Sequence, residues 1–135
     1  MNASGTYKVK KWEENPYREI SPEMKMTKAS VEYSIEGEIE GSAALEYLMY
    51  YKYFNVDDMH KSSAVYIGLM RFEGKLNGKE GSFIIKDDGL FENGTAGSSL
   101  QIIAGSGLGE LKNIKGTGQY SATAAGANIE FEYSL

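Results

Sequence analysis

The chain has 135 residues, a formal net charge of −5 and no cysteine. A chain of that length supports a core burying about two-thirds of the surface it exposes when unfolded. The missing cysteines exclude a disulfide, a thiolate nucleophile and a thiolate-bound metal. Nucleic-acid binding needs a concentrated positive footprint. The densest basic patch here is Lys8, Lys10 and Lys11, interleaved with Tyr7, Val9 and Trp12, so no nucleic-acid partner is expected. The first residues, Met-Asn-Ala-Ser-Gly-Thr, lack the basic and apolar segments of a secretory signal, and no apolar run is long enough for a membrane span. The expectation is a cytoplasmic protein with no membrane partner.

Residues 5–12 alternate polar and apolar and read as a first strand ending near Trp12. Asn15-Pro16 and Ser21-Pro22 mark a turn-rich connection. From Thr27 the period of two is cleanest: Ala29, Val31, Tyr33, Ile35 and Ile39 share one face, with Glu32, Glu36, Glu38 and Glu40 on the other. The next run, Ala43 to Phe54, is apolar on both parities and carries four of the ten tyrosines. Its Ala, Leu, Glu and Met favour a helix, but the aromatics and the neighbouring strands favour a strand. Apolar residues on both faces imply that both are covered, which predicts a homo-oligomer.

Asn55 to Ser63 is a polar loop holding the only histidine, His60. Val65 to Leu76 is again two-faced. Ser82 to Lys86 reads as a short strand stopped by Asp87-Asp88-Gly89, a strong turn signal. Ala96 to Ile103 is a further strand. Gly105 to Tyr120 then holds five of the sixteen glycines around Leu108, Leu111 and Ile114. A shorter copy runs from Gly74 to Phe83, and both read as tightly curved hairpins. The tail, Asn128 to Leu135, alternates throughout and is expected to pair beside the first strand. The fold class that follows is all-β: one domain over residues 1–135, an antiparallel closed or nearly closed barrel of about eight strands.

Few motifs carry chemistry. Gly105–Gly109 is followed by turn residues rather than a helix, so it is not a phosphate loop. Asp57, Asp58 and His60, or Asp87 and Asp88, lack a second histidine for a metal site, and no metal or cofactor is expected. Glu46, Arg71 and Glu73 are charges on otherwise apolar strands. Each needs a partner or a ligand if buried. The simpler account is that they face solvent or pair with one another.

Several stretches together resemble a known group. Gly5-Thr6-Tyr7, Trp12 to Tyr17, Lys28 to Val31, Glu46-Tyr47-Leu48, Tyr66 to Leu69, Gly74-Lys75-Leu76, Gly81-Ser82-Phe83 and Gly105 to Leu111 are similar in order and spacing to an uncharacterised, largely bacterial family. It is the domain-of-unknown-function family 3224. The resemblance implies a small barrel of the allene-oxide-cyclase type and assigns no reaction. The sequence departs from the family pattern at Met70, where members often carry an acid, and at Asp87, where they often carry a histidine.

Three functional readings follow. In the first, a barrel binds a small, largely apolar ligand lined by Trp12, Tyr47, Tyr66, Met70 and Phe72, with Arg71 as anchor for a carboxylate. In the second, a cyclase- or isomerase-like enzyme works inside the barrel, with Glu46 or Glu73 as acid or base. In the third, the barrel is filled and structural, and its two-faced strands mark an oligomer interface.

Overall fold

The alternating stretches become long antiparallel strands in the computed structural model, which describes residues 1–124 and 126–135. The strands are β1 (Asn2–Ser21), β2 (Met24–Gly37), β3 (Ile39–Tyr53), β4 (Ser63–Leu76), β5 (Lys79–Glu92), β6 (Thr95–Ile102), β7 (Leu108–Gly109), β8 (Lys115–Thr123) and β9 (Gly126–Ser134). They form one sheet in the order β4-β3-β2-β1-β9-β8-β6-β5-β7, and β4 also pairs with β5 along its length. The tyrosine-rich run is β3, with Ala43, Leu45, Tyr47, Met49 and Tyr51 all turned into the core.

The expectation of a closed or nearly closed barrel of about eight strands is corrected. β1 meets β9 only over Asn2–Thr6, and from Tyr7 to Ser21 it pairs with β2 alone. The sheet curls around its core but stands open along that edge, so it does not close into a barrel. The reason is length: β1 has 20 residues and β9 has 9, so most of β1 runs past its neighbour. A ninth strand, β7, is appended at the far end of the order.

Other boundaries move for similar reasons. Asn15-Pro16 lies within β1 rather than in a turn, because Pro16 sits on the stretch with no second neighbour, where a missing N–H breaks no ladder. The turn falls at Pro22–Glu23. Asp87-Asp88-Gly89 does not stop β5. Asp87 faces the core beneath Tyr47, and the turn comes later, at Asn93-Gly94. Asn93 and Gly94 have φ of 53° and 74°, and Asn77 and Gly78 between β4 and β5 have 48° and 83°. Positive φ at both central residues is the type I′ geometry that Asn-Gly favours.

Gly105–Tyr120 is no simple hairpin. β6 pairs with β8, and the loop between them folds over the end of the sheet, where β7 pairs with Gly81 and Ser82. Leu111 and Ile114 are fully buried there, while Leu108 faces solvent. The loop thus plugs one end of the curled sheet. Phe72, Phe83, Ile85, Ile129 and Phe131 fill the core nearby.

Candidate functional site: an aromatic pocket beside the open edge

A change of parity in β1 builds the pocket. Tyr7 stands opposite Ile35 and Val9 opposite Tyr33, so odd positions face inward at first. A bulge between Val9 and Lys11 inserts one residue, and Trp12 then stands opposite Val31 and Glu14 opposite Ala29. One extra residue moves every following side chain to the other face. Trp12 and Glu14 are thereby aimed at the same interior as Tyr47, Met49 and Tyr51 of β3, which alternate along one face.

These residues, with Tyr66, Phe91, Tyr120 and Met59 of the loop after β3, surround a cavity of about 220 Å³. Tyr47, Tyr51 and Tyr66 are almost fully buried, whereas Trp12 is 44% exposed at the rim. Tyr47 and Tyr66 meet edge-on with ring centroids 4.9 Å apart, and Trp12 lies 6.4 Å from Tyr47. Glu14 is tightly held: its carboxylate accepts from Trp12 Nε1 at 3.0 Å, Thr27 Oγ1 at 2.7 Å and the Tyr51 hydroxyl at 2.8 Å.

Behind the pocket wall lies Asp87, with no exposed surface. The Tyr47 hydroxyl donates to its Oδ2 at 2.7 Å, and its Oδ1 has no hydrogen-bond partner among the described residues. Burial pushes the Asp87 pKa up, against the opposing pull of the Ser98 and Tyr47 hydroxyls. Burial likewise holds the phenols of Tyr47, Tyr51 and Tyr66 well above their ordinary value, so they stay protonated.

The sign of the Asp87 shift gives a prediction. Its raised folded-state pKa means that the neutral carboxyl is favoured in the fold. That stability is present below the unfolded value and is lost as pH rises through the folded one. Asp87→Asn removes the charge and keeps the shape, so it should stabilise the protein at pH 8 by about 1–3 kcal/mol. The gap should close as pH falls towards 4 in thermal melts. A destabilised Asn variant at pH 8 would mean that the Tyr47 hydrogen bond to the charged form outweighs its burial.

Of the residues singled out from sequence, Trp12, Tyr47 and Tyr66 line this pocket. Met70 and Phe72 also face inward, but they are core side chains outside it. Glu46, Arg71 and Glu73 face outward, away from this pocket. Arg71 pairs with Glu73, and Ser30 donates to Glu46 at 2.6 Å. Glu46 and Arg71 border a separate outer groove of about 450 Å³. Sequence reasoning missed Glu14, Tyr51, Phe91 and Tyr120, since the bulge that turns Glu14 inward has no local signature. Among the described residues no His, Asp and Glu side chains gather as a metal site, and no helix is long and apolar enough to cross a membrane.

A family model described as protein of unknown function (DUF3224) matches residues 3–133, nearly the whole chain. The chain belongs to this family. A DUF3224 protein of unknown function from Shewanella oneidensis MR-1, known from its crystal structure, is 23% identical with a TM-score of 0.75. The match covers 100% of this chain and 96% of that one. At that identity the likeness speaks for the fold alone. No curated protein matches. These comparisons show membership of DUF3224 and no link to the allene oxide cyclases, so the cyclase-type expectation is not borne out.

Proposed function

We propose that this DUF3224 protein is a binding module for one small, largely apolar ligand held in the aromatic pocket. The observation that carries this reading is the cavity itself: about 220 Å³, with rings from β1, β3, β4, β5 and β8 around it. Drug-sized ligands occupy roughly 300–1,000 Å³, whereas an apolar cavity of about 150 Å³ takes benzene. The volume therefore suits a compound of one ring or a few branched carbons and is too small for a fatty acid. Trp12 is the only tryptophan, and its place at the rim makes it the reporter. Titration with single-ring compounds should change its emission saturably, and Ala96→Leu, which fills the pocket, should abolish the response. Flat titrations with the parent protein would remove this reading.

A second reading has one observation in its favour. A neutral carboxyl in an apolar site can donate a hydrogen bond that stabilises a developing oxyanion, as in known isomerases, and burial shifts Asp87 towards its neutral form. An isomerase-type reaction would then use the Tyr47 phenol, which lines the cavity, with Asp87 orienting its hydroxyl.

Self-association is also proposed. On the outer face of β3, β4 and β5, Tyr50 stands opposite Val65 and Val65 opposite Leu90, while Leu48 stands opposite Ile67. Leu48, Ile67, Leu69 and Leu90 are each about half exposed. An apolar patch of this kind, bordered by Asp88, Lys86 and Glu46, favours association. Sedimentation at micromolar concentration should give a dimer or trimer, and Ile67→Lys should shift it towards monomer. A monomer of the parent chain at that concentration overturns the proposal.

A further inference from the structure

We infer that the pocket's ligand is a small methylated ammonium cation, held by the aromatic rings and the Glu14 carboxylate. The inference rests on the pocket being a binding site and adds the charge and chemical class of what it binds.

The first argument is electrostatic. Glu14 is the one charged side chain lining the cavity among the described residues. Its three hydrogen bonds come from neutral donors, an indole, a threonine hydroxyl and a phenol. They fix its orientation without neutralising it. The nearby cations are engaged elsewhere: Lys52 pairs with Glu92 at 3.1 Å, and Lys25 stands 3.2 Å from the centre of the Phe54 ring. A carboxylate ligand would meet Glu14 with no cation lining the cavity to offset the repulsion. An ammonium would supply the missing charge.

The second argument concerns the rings. Aromatic faces carry negative potential, and several of them around one small space attract a cation. The rings of Trp12, Tyr47, Tyr51, Tyr66, Phe91 and Tyr120 all border the cavity. Outside the lining, one of these rings already has an ammonium near it, since Lys25 Nζ lies 5.9 Å from the centre of the Tyr51 ring.

The third argument selects among cations. The hydroxyls around the pocket are committed: Tyr47 to Asp87, Tyr51 to Glu14, Tyr66 with Ser98 and Tyr120 with Tyr33. A primary ammonium, with three N–H donors to satisfy, finds Glu14 as the one charged acceptor in a wall made mostly of ring carbons. A methylated ammonium has few or no donors and presents apolar methyl groups to the rings.

Choline and its uncharged analogue 3,3-dimethylbutan-1-ol have nearly the same shape, and 3,3-dimethylbutanoate carries the opposite charge. Trp12 emission and the methyl resonances of Met49 and Met59 should respond saturably to choline, roughly tenfold or more tighter than to the neutral alcohol. The carboxylate should not bind measurably. In Glu14→Gln the preference for choline over the alcohol should shrink several-fold while the alcohol's own affinity holds. Should that variant fail to fold, the comparison of the three probes on the parent protein decides alone. If the neutral alcohol saturates as tightly as choline, the pocket stands as a binding site and the cationic class is overturned. If a panel of single-ring compounds and all three probes leave Trp12 unchanged, both readings fall.

Discussion

Gly107→Val and Gly116→Val are each expected to lower the melting temperature by about 10 °C or more, or to prevent folding. A Cβ on Gly107 would lie 2.0 Å from the carbonyl oxygen of Leu111, and one on Gly116 would lie 2.2 Å from that of Glu132. Both obstacles are backbone, which cannot rotate away as a side-chain tip can. Relief requires moving the loop that plugs the sheet, or the β8–β9 ladder. That costs about 3 kcal/mol or more in a chain of this size. Close packing alone explains the demand at Gly107, whose φ is not positive. Gly97 is the control, because nothing lies within 4 Å of its ideal Cβ. Gly97→Val should melt close to the parent. Three variants with the same melting temperature would refute the close-packing argument.

Phe72→Ala is the second large effect and separates core from site. Phe72 is fully buried, its ring 5.2 Å from that of Phe83, which in turn meets Phe131 at 6.0 Å. Removing a buried phenyl ring costs about 3–5 kcal/mol, part of it from the cavity left behind. The pocket lies elsewhere, among Trp12, Tyr47 and Tyr66. The variant should therefore lose stability yet bind pocket ligands with unchanged affinity at temperatures where it remains folded. A Phe72→Ala protein of near-parent stability with weakened binding would place Phe72 at the site after all. Denaturant melts run beside the Trp12 titration distinguish the two.

The contrast between Phe72 and Trp12 marks where sequence patterning stops. Alternation along Ala29–Ile35 and Ile129–Tyr133 predicts inward faces, and those residues are buried. The same logic groups Tyr66, Met70 and Phe72, all of which point inward. It says nothing about their depth along the strand, and depth separates a pocket wall from a packed core. Asp87 shows a different limit. Asp-Asp-Gly is a good local turn signal, but β5 continues through it. Pairing to β4 and β6 extends through these residues, and Tyr47 supplies a donor to the buried acid.

The sequence by itself determined the β class, which residues of each alternating strand share a face, and a hairpin turn within Gly74–Phe83. Those properties depend on neighbours one to four residues away, through side-chain alternation and local φ preference. Tertiary structure decided that the sheet stays open beside β1, that the glycine-rich stretch is a plug, and that Trp12 and Glu14 face inward. Each of these depends on the register between strands distant in sequence. The bulged residue between Val9 and Lys11 reverses the side chains from Trp12 to Pro16, up to the next bulge, and only pairing with β2 reveals it.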